Sequence, residues 1–167
     1  MTEPVAIRFT DDGAIPNSAL PMLVYRQAVP ADPDAIEALF AANGWPPAWR
    51  DGVHPFHHFH STAHEALGVA RGEATVLFGG PGGQILHLRA GDVAVLPAGV
   101  GHCSQSHSPD LMIVGAYPDG TRHLLDTRRG EPTDIAAMRR NIAEVAVPAC
   151  DPLGRALAEL WQPSQHG

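Results

Sequence analysis

The feature that most constrains this chain is a His-x-His pair, followed farther along by a glutamate and a third histidine. The four residues are His58, His60, Glu65 and His102. In an extended strand, side chains two positions apart share a face, so the paired imidazoles project together. Imidazole nitrogens and carboxylate oxygens bind first-row transition metals, and four such ligands leave positions open on an octahedral ion. The pattern therefore predicts β structure around a divalent metal that a substrate can reach.

The spacing around these residues forms two motifs. The first, Gly-x5-His-x-His-x4-Glu-x6-Gly, runs from Gly52 to Gly72. The second, Gly-x5-Pro-x-Gly-x2-His, runs from Gly91 to His102, and Ser106 follows at a position where asparagine is usual. In this order, and with a short segment between them, they resemble the two motifs of the cupin superfamily. The flanking segments IRFTDDGAIPNSALP, LFAANGWPPAW and VGAYPDG are similar to those of uncharacterised bacterial single-domain cupins.

The resemblance has consequences for the fold and for the ligands. It implies an all-β fold, a double-stranded jelly-roll β-barrel, here with N-terminal and C-terminal helical segments. It also implies one divalent transition metal inside the barrel, with His58, His60, Glu65 and His102 as its ligands. The ion could be Mn, Fe, Ni, Co or Zn, because mixed nitrogen and oxygen ligation discriminates poorly among these metals. A carboxylate buried inside a barrel without a partner is costly, and a metal would offset that cost.

Composition argues against several classes of protein. The formal net charge of −7 provides no basic surface for nucleic acid, and all 11 basic residues are arginines, which excludes lysine Schiff-base chemistry. The chain begins without a basic and apolar leader, and no apolar run is near the ~20 residues that a membrane helix requires. Two cysteines are too few for a disulfide framework. We expect a cytoplasmic protein that binds neither nucleic acid nor membranes.

The chain is predicted to be a single domain, residues 1–167, with three parts. Residues 1–51 form an N-terminal arm and helix, residues 52–125 form the metal-binding barrel core, and residues 126–167 form a helical tail. The barrel prediction rests on short apolar segments separated by turn sequences such as GGPGG, PAGVGH and PDG.

The arm is predicted to contain two short strands, residues 5–9 and 22–26, and a helix over residues 33–43. Asp32 can cap this helix, Gly44 suits its end, and the sequence WPPAW cannot continue it. Strands this short do not form a sheet alone, so we expect them to join a barrel sheet of their own chain or of a partner. The resemblance also implies pairing through such strands or flanking segments, so we favour a homodimer; the alternative is a monomer whose N-terminal arm covers the edge of its own sheet.

The tail is predicted to contain two helices. Thr133 or Asp134 can cap the first, which runs through Ile142. Asp151 and Pro152 are predicted to start the second, which carries a stripe of apolar side chains. The stripe consists of Leu153, Leu157, Leu160 and Trp161.

Other residues that could carry chemistry have simpler interpretations. His64 is predicted to point away from Glu65 and to be a surface or interface histidine. His54 and His57 are interpreted as residues at the rim of the site rather than ligands, and Cys103 as a small buried apolar side chain. The glycine run of residues 79–83 lacks the Lys-Ser/Thr ending of a phosphate loop and is interpreted as a hairpin turn. Four aromatic residues are assigned to the core or the pocket wall: Trp45, Trp49, Phe56 and Tyr117.

Three kinds of function are compatible with these motifs. The first is a metal-dependent enzyme acting on a small molecule, because cupins with three histidines and a glutamate resemble dioxygenases, oxidases and decarboxylases, and others are sugar isomerases. Glu65 would then be a ligand and could also act as a base. The second is a non-catalytic binding module, such as a sensor or storage protein. The third is a structural protein whose metal only stabilises the barrel.

Overall fold

The computed structural model describes residues 3–121, 124–131 and 134–162, and these form two antiparallel sheets and three helices. The strands are β1 (Val5–Ile7), β2 (Met22–Tyr25), β3 (Pro47–Asp51), β4 (His58–His60), β5 (Glu65–Arg71), β6 (Glu73–Phe78), β7 (Gln84–Arg89), β8 (Val93–Leu96), β9 (His102–His107), β10 (Met112–Ala116) and β11 (Asp126–Arg128). The helices are α1 (Pro33–Ala42), α2 (Ile135–Glu144) and α3 (Leu157–Leu160). Within these residues no helix is both long and apolar enough to cross a bilayer.

The strand order confirms the predicted jelly roll. One sheet has the order β1-β2-β8-β5-β10-β3, and the other has the order β11-β4-β9-β6-β7. Strands that are neighbours in space are often distant in sequence, as in the pairing of β5 with β8 and β10. The two sheets face each other, as in a β-sandwich or barrel, and the apolar side chains between them form one core.

Alternation along β5 determines which side chains enter that core. Leu67 and Val69 pack between the sheets, whereas Ala66 and Ala70 join a second apolar cluster on the outer face. Glu65 has the same parity as Leu67 and therefore projects between the sheets, on the side of the second sheet. The strand thus places a carboxylate inside the barrel.

The outer face of the first sheet is covered by α1 and by the C-terminal segment. Ile36 and Phe40 of α1 are fully buried there, together with Leu157 of α3. Gly68 permits the close approach of α1, because a Cβ at this position would meet Ile36 Cγ2 at 2.8 Å. Asp32 caps α1 as predicted, by accepting a hydrogen bond from the Asp34 amide.

The N-terminal strands join the sheet of their own chain. The strand β2 pairs with β8, and β1 pairs with β2 at the edge of the same sheet. Both strands are shorter than predicted. The segment WPPAW, for which no strand was predicted, provides most of β3. Proline is tolerated there because Pro47 is the first residue of a strand at the edge of the sheet.

The tail differs from the prediction in two respects. It begins with a strand, β11, which pairs with β4 and so belongs to the barrel. The second helix is only the short α3, because Asp151 organises a turn instead of starting a helix. The buried Asp151 carboxylate accepts hydrogen bonds from the Leu153 and Arg155 amides and from the Tyr25 hydroxyl. The first tail helix is present with Asp134 as its cap, while Thr133 lies outside the described residues.

Candidate metal centre

Three histidines from two adjacent strands converge between the sheets. His58 and His60 lie on β4, and His102 begins β9, where it is the register partner of His58. One ring nitrogen from each histidine lies within 4.8 Å of the other two, so the cluster could hold a metal ion. The rings of His58 and His102 are the closest pair, with centroids 4.0 Å apart.

Glu65 reaches this cluster from the opposite sheet. Its Oε1 lies 3.1 Å from His102 Nε2, and its Oε2 lies 3.3 Å from His60 Nε2. The four side chains are buried, and Glu65 is 3% exposed. The structure therefore brings together all four residues that the sequence singled out.

The outer nitrogen of each histidine is fixed by the backbone. His58 Nδ1 lies 3.0 Å from the Phe56 carbonyl, His102 Nδ1 lies 3.1 Å from the Val100 carbonyl, and His60 Nδ1 lies 3.3 Å from the Leu125 carbonyl. A carbonyl oxygen can only accept, so each Nδ1 carries the proton. In the neutral ring, Nε2 is then a free lone pair, and this arrangement is typical of metal-binding histidines.

The donor set fits a cation. Glu65 Oε1 is buried without a hydrogen-bond donor among the described residues, although His102 Nε2 is close to it. When His60 and His102 are neutral and donate through Nδ1, the lone pairs of their Nε2 atoms face the Glu65 carboxylate at 3.3 and 3.1 Å. This arrangement is unfavourable unless a positive charge lies between them. A proton on one ring or a divalent metal among all four residues would supply that charge.

The pKa shifts of His58, His60 and Glu65 agree with the need for a positive charge beside the Glu65 carboxylate. Burial and the nearby His102 ring lower the pKa of His58 to about 3, so His58 remains neutral. Burial opposes charge on His60, but the Glu65 carboxylate outweighs it and raises the pKa of His60. Burial likewise opposes ionisation of Glu65, but His60 and His102 outweigh it and hold the pKa of Glu65 below its usual range.

A cavity of about 240 Å³ borders the four residues. Its apolar wall is formed by Trp49, Val53, Tyr117 and Leu124. Its polar wall is formed by Asp51, His54 and Asp126. Burial and the Glu65 carboxylate raise the pKa of Tyr117 well above its usual range, so this hydroxyl stays protonated. The sequence offered no signal for Asp51 or Asp126, because their position depends on the pairing of β3 and β11 with distant strands.

His64 is buried, which contradicts the prediction that it lies at the surface. It points away from the metal cluster as expected, but it is 2% exposed rather than at the surface. Its Nδ1 accepts the Ala98 amide at 2.9 Å, and its Nε2 donates to the Ala146 carbonyl at 3.1 Å. The C-terminal segment covers it, and its ring packs on Trp161. Burial lowers the pKa of His64 to about 4, in agreement with a neutral ring that links the barrel to the tail.

His54, Cys103 and the glycine run agree with their simpler interpretations, whereas His57 is not part of the cluster, as predicted, but does not lie at the rim of the cavity either. His54 lines the cavity and stacks on Phe56, with ring centroids 4.9 Å apart. His57 is half-buried and belongs neither to the cluster nor to the cavity wall. Cys103 is buried, and the glycine run 79–83 connects β6 to β7 as a hairpin turn.

The comparisons with known proteins agree with this geometry. A cupin family model matches residues 50–127, which include both motifs and all four residues of the cluster. A protein of Bacillus subtilis (strain 168), named "Uncharacterized protein YjlB", is 40% identical over an alignment of 157 residues that covers 92% of this chain and 93% of that protein. The two-sheet architecture, the family match and a relative similar over nearly the whole length lead to one conclusion: this chain belongs to the cupin family.

Proposed function

We propose that the chain binds one divalent transition metal and is a metal-dependent enzyme that acts on a small molecule, in the manner of a dioxygenase or oxidase. The proposed ligands are His58, His60, Glu65 and His102. The observation that carries the proposal is the buried Glu65 carboxylate: among the described residues its Oε1 has no hydrogen-bond donor, and it faces His60 and His102, whose neutral rings already donate through Nδ1 to backbone carbonyls. A metal resolves this conflict for all four side chains at once.

The cavity supports catalysis more than a purely structural site. Four ligands on an octahedral ion leave positions open, and the cavity lies directly beside the ligand set. Its volume of about 240 Å³ is below the roughly 300–1,000 Å³ of sites for drug-sized ligands, so a compact substrate fits best. When bound, the metal would polarise a substrate oxygen as a Lewis acid and, if redox-active, would support oxygen chemistry.

The residues of the chain have distinct parts in this function. The backbone carbonyls behind His58, His60 and His102 hold the rings in one tautomer and orientation. Trp49, Val53 and Leu124 exclude water from one side of the cavity. Glu65 could also take a proton from the substrate, because it is buried at the cavity floor and kept ionised by its neighbours.

Metal analysis and oxygen uptake test this proposal together. Protein purified without added metal is expected to carry about one ion per chain, as the ligand set predicts. Iron or manganese, together with oxygen consumption on a panel of small phenols, enols and thiols, would support the dioxygenase-like function. Zinc without oxygen uptake would favour the isomerase-like alternative. Tight binding of a small molecule without turnover would favour a sensor or storage cupin, for which the same cavity would serve as the binding site.

We also propose a homodimer in the cytoplasm. Support for the compartment comes from the two cysteines, which are both free thiols, as is usual in reducing compartments. Support for the dimer comes from β1 and β7, which lie at sheet edges and expose the apolar side chains Val5 and Ile85. Light scattering at low micromolar concentration is expected to give about twice the 17.7 kDa of one chain. The mass of a single chain would contradict the dimer and would leave the metal site unaffected.

A further inference from the structure

Two aromatic residues of the cavity wall form a hydrogen-bonded pair beside the proposed ligands. Trp49 lies on β3, and Tyr117 follows the end of β10. Trp49 Nε1 lies 3.0 Å from the Tyr117 hydroxyl oxygen. The Tyr117 ring meets the His60 ring edge-on, with centroids 5.7 Å apart. The pair therefore presents a hydroxyl at the cavity surface, next to the proposed ligand His60.

The backbone is shaped to place this indole. Gly115 is the register partner of Trp49 in the pairing of β3 with β10. A Cβ at Gly115 would collide with the indole ring, because the ring lies flat across the glycine backbone. Only glycine allows the ring to cross the strand at this point and to reach Tyr117. The position of the indole is thus set by the sheet and not by a flexible loop.

The direction of this hydrogen bond determines what the hydroxyl can do. An indole N–H can only donate, so the Tyr117 oxygen accepts from Trp49. The single hydroxyl proton of Tyr117 must therefore go to another acceptor, and the Glu65 carboxylate is one such acceptor within its reach. If Glu65 binds the proposed metal, this proton would instead be available to a molecule in the cavity, which Tyr117 also lines.

We infer that Tyr117 donates a hydrogen bond to an anionic or carbonyl oxygen of the substrate in the cavity, and that Trp49 is the residue that positions Tyr117. This inference rests on the proposed metal site, because the metal would hold the substrate atom that receives the bond. It identifies the substrate class as a compact molecule with an oxygen acceptor close to its metal-binding group. Tyr117 would contact the substrate, whereas Trp49 would act only by holding Tyr117 in place.

Azide binding to the Co²⁺-loaded protein tests the inference without a known substrate. Azide is a small anion that binds open positions on Co²⁺ and accepts hydrogen bonds, and the visible absorption of the ion reports its binding. Tyr117→Phe keeps the ring and removes the donor, so azide affinity is expected to fall about tenfold or more. Trp49→Phe leaves the hydroxyl in place but unfixed, and a smaller loss of about threefold is expected. Cobalt content is expected to remain at the wild-type level in both variants.

The chain provides a matched control. It has two tyrosines, and the other one, Tyr25, donates to Asp151 on the outer side of the first sheet, away from the cavity. Tyr25→Phe makes the same chemical change and is expected to leave azide affinity within about twofold of wild type.

Each remaining outcome has a distinct meaning. Unchanged azide affinity in Tyr117→Phe with full cobalt content would overturn the inference and leave the metal site standing. Loss of cobalt from Tyr117→Phe would also overturn it, because Tyr117 would then support the ligands rather than the bound molecule. Failure of the wild-type protein to bind cobalt, or of its cobalt to bind azide, would instead contradict the proposed function.

Discussion

Replacement of both His58 and His60 by alanine is expected to abolish metal binding. Wild-type protein loaded with Co²⁺ or Mn²⁺ and passed through a desalting column should retain about one ion per chain, and the double variant less than about a tenth of that. The reason is geometric: the change removes two of three imidazoles that converge within 4.8 Å, and it leaves His102 with Glu65 alone. Elemental analysis of the protein fraction measures the result.

The control variant removes two histidines elsewhere on the same sheet. His87 and His107 are exposed, on β7 and at the end of β9. The variant with both replaced by alanine should retain the wild-type metal content, because neither ring belongs to the cluster. If the two double variants lost metal equally, or if the His58 and His60 variant kept its ion, the proposed ligand set would be wrong.

The sequence predicted which four side chains lie together, because local rules determine most of their arrangement. Alternation along one strand puts His58 and His60 on the same face, and the spacing of the two motifs points to Glu65 and His102. The structure adds that β4 and β5 lie in different sheets, so that the carboxylate approaches the rings across the barrel. That relation depends on the order of strands in space, which the alternation of side chains does not encode.

The cavity wall could not be predicted in the same way. Trp49 and Asp51 belong to β3, whose strand character is hidden by the two adjacent prolines at its start, and they reach the site through pairing with the distant β10. Asp126 belongs to β11, in a segment predicted to be helical tail. His64 shows a related difficulty, since its direction follows from alternation but its burial depends on the covering C-terminal segment. The position and the burial of a side chain could therefore not be predicted where they depend on segments that are distant in sequence.

Removal of the metal is expected to lower the melting temperature substantially. A ligand that binds only the folded state stabilises it by about 4 kcal/mol when its free concentration is a thousand times its Kd. For a chain of 167 residues, each kcal/mol corresponds to about 2–4 °C. A chelator should therefore lower the melting temperature by roughly 10 °C, and added metal should restore it. Differential scanning calorimetry of the loaded, chelated and reloaded protein measures the shift.

Acid should act in the same direction as the chelator. The Glu65 carboxylate raises the pKa of His60 in the metal-free protein, so a proton competes with the metal for this ring, and metal affinity falls as the pH falls. The difference in melting temperature between loaded and chelated protein should consequently shrink from pH 8 to pH 6.5. Below about pH 6.5 the melting temperatures of the loaded and the chelated protein should both fall as well. The reason is that His58 has a folded pKa of about 3 and takes up protons more readily when the chain is unfolded. The melting temperature of the variant without His58 and His60 should respond to neither metal nor chelator. An unchanged melting curve of the wild-type protein after verified loss of its metal would rule out stabilisation by this site.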